Sequence, residues 1–142
     1  MPTSTENNLQ LIHEAFAAFN TADLDRCASL LTEDFIINLA GMPFQMRGRE
    51  AWKSNVDVIQ TGFPGIQAAI DDIFAAGDKV AVRLTFRGTH SGSFLGIPAT
   101  GRDVAYMSLE HYRVQDGLLA EEWICSDLTT LMRQLTETDA TP

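Results

Sequence analysis

The apolar residues of this chain change period once, near Pro64, and that change restricts the fold more than any other feature. Before it they recur every three or four positions, as one face of a helix requires; after it they recur every second position, as a half-buried strand requires. Leu9, Ile12, Phe16 and Phe19 mark a helix over about 6–20. Asn20-Thr21-Ala22-Asp23 breaks it and caps a shorter helix carrying Leu24, Cys27, Leu30 and Leu31. Phe35-Ile36-Ile37 is a short β-prone run, Gly41-Met42-Pro43 a turn, and Arg47-Gly48-Arg49-Glu50 leads into a third helix. Its stripe is Trp52, Val56, Ile59 and Phe63, with Gly62 as the stop.

Beyond Pro64, Ile66, Ala68 and Ile70 alternate with smaller or polar residues, and Gly77-Asp78 turns the chain. Val80, Val82, Leu84 and Phe86 then alternate with Lys79, Arg83, Thr85 and Arg87. A glycine-rich loop over 88–102 precedes a long strand, Val104 to Val114. Asp116-Gly117 is a strong hairpin signal, and Leu118 to Cys125 returns. A closing helix over about 127–135 carries Leu128, Leu131, Met132 and Leu135. Helices gathered ahead of a strand meander predict an α+β fold, an antiparallel sheet with helices on one face. Strong twist curls such a sheet around its helices and leaves a conical pocket between the layers.

The 142 residues suit one domain over 1–142, with an ordered core of about 6–136 and small, polar ends at 1–5 and 137–142 that are expected to fray. A hydrophobic fraction of 45% supplies a core. The net charge of −9 argues against nucleic acid or an anionic membrane as partner, since both demand a basic footprint. No apolar stretch nears the ~20 residues of a membrane span, and the start lacks a basic and apolar leader, so a cytoplasmic location is expected. Cys27 and Cys125 form no CxxC and no Cys/His cluster. No metal site is expected, and both cysteines read as small buried hydrophobes.

Three stretches together resemble the SnoaL-like polyketide cyclases of the nuclear-transport-factor-2-like (NTF2-like) superfamily. They are Ala17-Ala18-Phe19-Asn20-Thr21-Ala22-Asp23 followed by Leu30-Leu31-Thr32-Glu33-Asp34-Phe35, the loop Gly88 to Arg102, and Tyr112-Arg113-Val114-Gln115-Asp116-Gly117 with Glu121-Glu122-Trp123, Asp127 and Leu131 to Leu135. The resemblance implies an α+β-barrel cone, a cofactor-free apolar pocket for a hydrophobic small molecule, and frequent homodimers. It also implies ring closure by an intramolecular aldol reaction using a histidine–aspartate pair on the last two strands. Aligned without gaps on Arg113–Gly117, those two positions carry Glu110 and Ile124, so the pair is not reproduced. Fold does not fix function here, since relatives isomerise ketosteroids, open epoxides or only bind ligands.

The hairpin sets a register. A two-residue turn at Asp116-Gly117 places Glu110 opposite Trp123, Ser108 opposite Cys125 and Tyr106 opposite Asp127. Tyr106, Ser108, Glu110, Tyr112, Glu121, Trp123 and Asp127 then share one face, expected to line the pocket, while Met107, Leu109, His111 and Arg113 lie on the other with Glu122 opposite His111. A bulge in either strand would undo half of this assignment.

On that basis Asp127 is either a general base at the pocket rim or the N-cap of the last helix. Glu110 stands out because a mid-strand carboxylate is disfavoured unless exposed or used. His90 continues the inward parity of Phe86 and either reaches the pocket mouth or lies on the surface. Tyr106 and Tyr112 either polarise a substrate carbonyl or are structural. Trp52, Trp123, Phe86 and Ser108 complete the expected wall, and His13 is expected to be structural. The resulting expectation is a cofactor-independent cyclase or isomerase acting on a hydrophobic carbonyl compound by acid–base chemistry. An epoxide or lactone hydrolase and a non-catalytic binding domain are the alternatives.

Overall fold

The computed structural model describes residues 4–137. Four helices and six strands follow in the order α1 (Thr5–Asn20), α2 (Leu24–Ser29), β1 (Leu31–Leu39), β2 (Met46–Arg47), α3 (Arg49–Gly62), β3 (Gln67–Ala76), β4 (Lys79–Thr89), β5 (Asp103–Gln115), β6 (Leu118–Ser126) and α4 (Leu128–Thr136). The strands form one curved sheet in the order β2-β1-β6-β5-β4-β3. This is the α+β architecture expected from the sequence, a curved sheet with helices on its concave side, but the sheet stays open instead of closing into a barrel. The expected all-antiparallel sheet also needs correction: β1 runs parallel to β6. It is far longer than Phe35–Ile37 because its first half, with Thr32, Glu33 and Asp34, carries no apolar alternation to announce a strand.

Capping defines the helix starts. Ser4 Oγ accepts the Asn7 N–H, and an Asp23 carboxylate oxygen accepts the Arg26 N–H, each leaving one orphan donor fewer. Of the ends expected to fray, 1–3 and 138–142 lie outside the described residues. Two side chains fix helices to the sheet by two-point amide bonds. Asn20, at the end of α1, both donates to the Ala68 carbonyl (2.9 Å) and accepts the Ala68 N–H (2.7 Å). Gln134 on α4 makes the same pair with Ala105 on β5, both bonds 2.9 Å.

The core fills the concave side, where Ile12, Phe35, Ile37, Phe63, Ile66 and Leu84 are fully enclosed. The loop after β4 abuts the C-terminus of α3 so tightly that a Cβ on Gly92 would lie 1.9 Å from the Thr61 carbonyl oxygen. Only glycine allows that approach.

The β5–β6 register departs from the simple hairpin count. Gln115 pairs with Leu118 and Val114 with Leu119, but Arg113 pairs with Glu121, leaving Ala120 as one extra residue. Leu119 and Ala120 are consecutively buried, as a bulge allows. Every β6 side chain beyond Ala120 therefore points to the face opposite the one expected. Glu122, Ile124 and Ser126 face inward, while Trp123 and Cys125 face out.

Candidate functional site

A cavity of about 380 Å³ opens between the helices and the concave face of the sheet. Phe16 and Phe19 of α1, Trp52 and Ile59 of α3, and Phe86 of β4 form much of its wall. Tyr106, Glu110 and Tyr112 reach it from β5, and Leu119, Glu122, Ile124 and Ser126 from β6. Among the described residues, Glu110 and Glu122 are the only charged side chains that line it. Rings pack edge to face along the wall, as with Phe16 and Tyr112 at 6.4 Å, while Phe86 and Tyr106 stack at 5.4 Å.

The polar end of this cavity is a connected group. Tyr112 Oη donates to Glu110 Oε1 at 2.5 Å. Ser108 Oγ donates to Glu110 Oε2 at 2.7 Å, and Ser108 and Ser126 hydroxyls meet at 2.9 Å. Glu122 pairs with Tyr112 across the β5–β6 ladder. Glu110 is 4% and Glu122 3% exposed, so both carboxyl groups have exchanged water for protein.

Burial accordingly dominates their titration. Desolvation pushes the Glu110 carboxyl above its ordinary range, and the hydroxyls of Tyr112 and Ser108 oppose that. Glu122 is pushed well above its range by desolvation and then by the Glu110 charge, with only the Tyr112 hydroxyl in opposition. Burial, then Glu110 and Glu122, hold the Tyr112 phenol well above its usual value. Burial likewise raises the Tyr106 phenol, and it pushes the Cys27 thiol up to about 11, which leaves that cavity-lining sulfur a poor nucleophile.

Within this architecture, residues 10–135 match the family described as SnoaL-like polyketide cyclase. The chain belongs to that family. Among related proteins, the aklanonic acid methyl ester cyclase DauD of Streptomyces sp. (strain C5) is 27% identical over 138 residues, spanning 94% of this chain and 84% of the relative. Among solved structures, AclR of Streptomyces galilaeus superposes with a TM-score of 0.87 at 26% identity, covering 98% of this chain and 87% of that one. IdmH of Streptomyces antibioticus is 37% identical, with a TM-score of 0.78 over 89% of this chain and 96% of its own.

Against the histidine–aspartate pair that the resemblance to the SnoaL-like cyclases implies, the ladder is informative. Glu110 and Ile124, the two aligned positions, are direct cross-strand partners. The second acid of this chain stands at Glu122, two residues earlier on the same face of β6.

Several expected site residues lie elsewhere. Asp127 is the N-cap of α4: one carboxylate oxygen accepts the Thr130 N–H (3.0 Å) and the other the Thr130 hydroxyl (2.6 Å). Those bonds, the hydroxyl first, lower its pKa, the wrong direction for a general base, and its side chain does not line the cavity. His90 is wholly buried but not at the pocket mouth. Its Nδ1 accepts the Thr100 N–H (3.2 Å), and its ring packs on Phe63, so it holds the 90–102 loop in place. Ser108 sits behind the wall, not in it.

Trp123 faces outward beside His111, where a shallow depression of about 600 Å³ also exposes Phe44 and Leu109. Cys125 shares that outer face and is exposed, not buried. His111 is on the surface as expected but cannot meet Glu122, which is inside, and His13 is exposed. Among the described residues no group of three or more His, Cys, Asp or Glu is placed to hold a metal ion, and no helix is long and apolar enough to cross a membrane.

Reading the sequence missed Glu122 and Ser126. The available signal was the run Leu118-Leu119-Ala120, three apolar residues where strict alternation asks for a polar one.

Proposed function

We propose that this chain is a cyclase-type enzyme that closes a ring on an uncharged, hydrophobic, carbonyl-bearing small molecule by general acid–base catalysis. The observation that carries the reading is the buried Glu110–Tyr112–Glu122 group at the polar end of an otherwise apolar cavity. Two neighbouring carboxyl groups in a dry site do not both ionise readily, and they titrate as a pair that retains one proton. Glu110, which accepts from two hydroxyls, is the better-stabilised anion. Glu122 is the better place for the proton.

Ring closure through an enolate asks for this division. Glu110 removes a proton α to a carbonyl, and protonated Glu122 or the Tyr106 hydroxyl donates to the oxygen where charge gathers. The enolate carbon then attacks a second carbonyl of the same molecule, forming the ring C–C bond as that C=O becomes an alkoxide; no electrons are gained or lost overall, so the proposal includes no cofactor. Among the described residues no Lys, Arg or His lines the cavity, which disfavours a free carboxylate or phosphate on the ligand and suits a ketone or an ester. Because DauD and DnrD, of Streptomyces peucetius, are aklanonic acid methyl ester cyclases, that ester is the probe to use first.

Incubation of the full chain with the ester, followed by mass spectrometry, separates the readings. A ring-closed product isomeric with the substrate supports the proposal. A product heavier by one water would replace it with hydrolysis, and tight binding without turnover would leave a non-catalytic pocket.

A further inference from the structure

We propose that Ser108 and Ser126 form a hydroxyl relay that carries the proton taken up by Glu110 back to an oxygen of the bound substrate. The inference rests on Glu110 being the base, as argued above, and adds two residues with distinct roles: Ser126 touches the cavity contents, and Ser108 acts through its neighbours.

The direction of the chain follows from counting hydrogens. A serine hydroxyl has one hydrogen and two acceptor lone pairs. Ser108 is 0% exposed and commits its hydrogen to Glu110 Oε2 at 2.7 Å. Its 2.9 Å contact with Ser126 is therefore a bond in which Ser126 donates. Ser126, the last residue of β6, lines the cavity and so presents only lone pairs to it while Glu110 is ionised. In that state the cavity end of the chain accepts, and it suits a hydroxyl, an enol or a water.

Proton transfer reverses every bond. Each Glu110 oxygen accepts one hydroxyl, Oε1 from Tyr112 and Oε2 from Ser108, and keeps one lone pair free; a proton that lands on Oε2 is the one that can reach Ser108. The α C–H bond breaks and an O–H bond forms on Glu110 at Oε2; the enolate carbon then forms the ring C–C bond to a second carbonyl, whose C=O π pair becomes the alkoxide. The proton on Oε2 passes to Ser108 Oγ as the Ser108 hydrogen passes to Ser126 Oγ, and the Ser126 hydrogen passes to the alkoxide formed on ring closure. Both serines end as hydroxyls and Glu110 ends as a carboxylate, ready for another cycle. One buried carboxylate thus serves carbon and oxygen in turn without bulk water entering the apolar cavity. The arrangement also accounts for placing the Ser108 hydroxyl behind an apolar wall, where it is satisfied only by Glu110 and Ser126.

Infrared titration of the full chain, with the Glu110 carboxyl band identified by its loss in Glu110→Gln, tests the coupling without substrate. Ser126→Ala and Ser108→Ala should move the band's midpoint to higher pH, since the anion loses support, and Ser126→Thr should restore it. With the polyketide ester as probe, Ser126→Ala should lower kcat about tenfold to a hundredfold with KM held. Its proton inventory in mixed light and heavy water should turn from curved to linear, and Ser126→Thr should recover both.

An unmoved midpoint in Ser126→Ala overturns the relay, as does a wild-type kcat or a threonine variant that fails to rescue. Should Ser108→Ala not fold, the Ser126 variants at the cavity edge still decide. If the wild-type chain leaves the ester unchanged, the proposed substrate fails, while the titration still decides the relay.

Discussion

Tyr112 and Glu110, two residues apart on one face of β5, are joined by a 2.5 Å hydrogen bond from the phenol to Oε1, with both side chains withdrawn from solvent. The bond works against the desolvation that would otherwise keep Glu110 protonated. Tyr112→Phe removes that support and raises the Glu110 pKa further. A base must be ionised, so the acidic limb of the kcat profile should move to higher pH. The rate near neutrality should fall about tenfold to a hundredfold and recover partly in alkali. A profile that drops without shifting would place Tyr112 outside the ionisation of Glu110.

Glu122 makes stability depend on pH in the sense opposite to an ordinary salt-bridged acid. Its folded pKa lies well above the unfolded value, so the native state holds a proton that the unfolded chain releases. That contribution is complete below the unfolded carboxylate pKa of about 4.3 and is lost as pH rises through the raised native value. Urea unfolding should show stability declining over that window, and Glu122→Gln should flatten the decline. A slope identical to wild type would mean that Glu122 ionises normally.

The two expected acid–base residues that lie outside the cavity give a control. Asp127→Ala removes a helix cap and should lower the urea midpoint of unfolding. His90→Phe removes the acceptor that holds Thr100 and should cost on the order of 1–2 kcal/mol of stability. Neither should shift the pH profile of kcat, since neither side chain lines the cavity. A shifted profile in either variant would return that residue to the mechanism.

How legible the site was turned on one residue. The alternation of β5 is unbroken, and Tyr106, Glu110 and Tyr112 take the face their parity assigns. Across the hairpin, parity carries over only until Ala120, whose insertion turns Trp123 outward and Glu122 inward. A bulge costs little and has no fixed residue type here, so counting from Asp116-Gly117 cannot find it. The helices α1, α3 and α4 and the strands β3 to β6 were readable from period; β1 was not in full, and Leu31, expected on the second helix, opens that strand. The parallel pairing of β1 with β6 was not readable, because it joins segments some 80 residues apart with no local signal. Asp127 and His90 were ambiguous for a simpler reason: one residue type serves capping, loop anchoring and catalysis alike.

That outward turn of Trp123 has its own consequence. Trp123 (37% exposed), Leu109 (49%) and Phe44 (60%) form an apolar area on the convex face. The homodimer expected from the family resemblance would be placed there, covering them. Light scattering at micromolar concentration should report twice the chain mass, and Trp123→Glu should return it to the single-chain value. A wild-type monomer would contradict this placement.

Steady-state turnover of Glu110→Gln tests most directly whether Glu110 acts as the ionised member of a buried acid pair. The variant keeps the shape of the side chain and its place beside Tyr112 and Ser108 while removing the base. The prediction is a fall in kcat on the order of 10²–10⁴ with KM little changed and the same urea midpoint or a higher one near neutral pH. Turnover at the wild-type rate would contradict it.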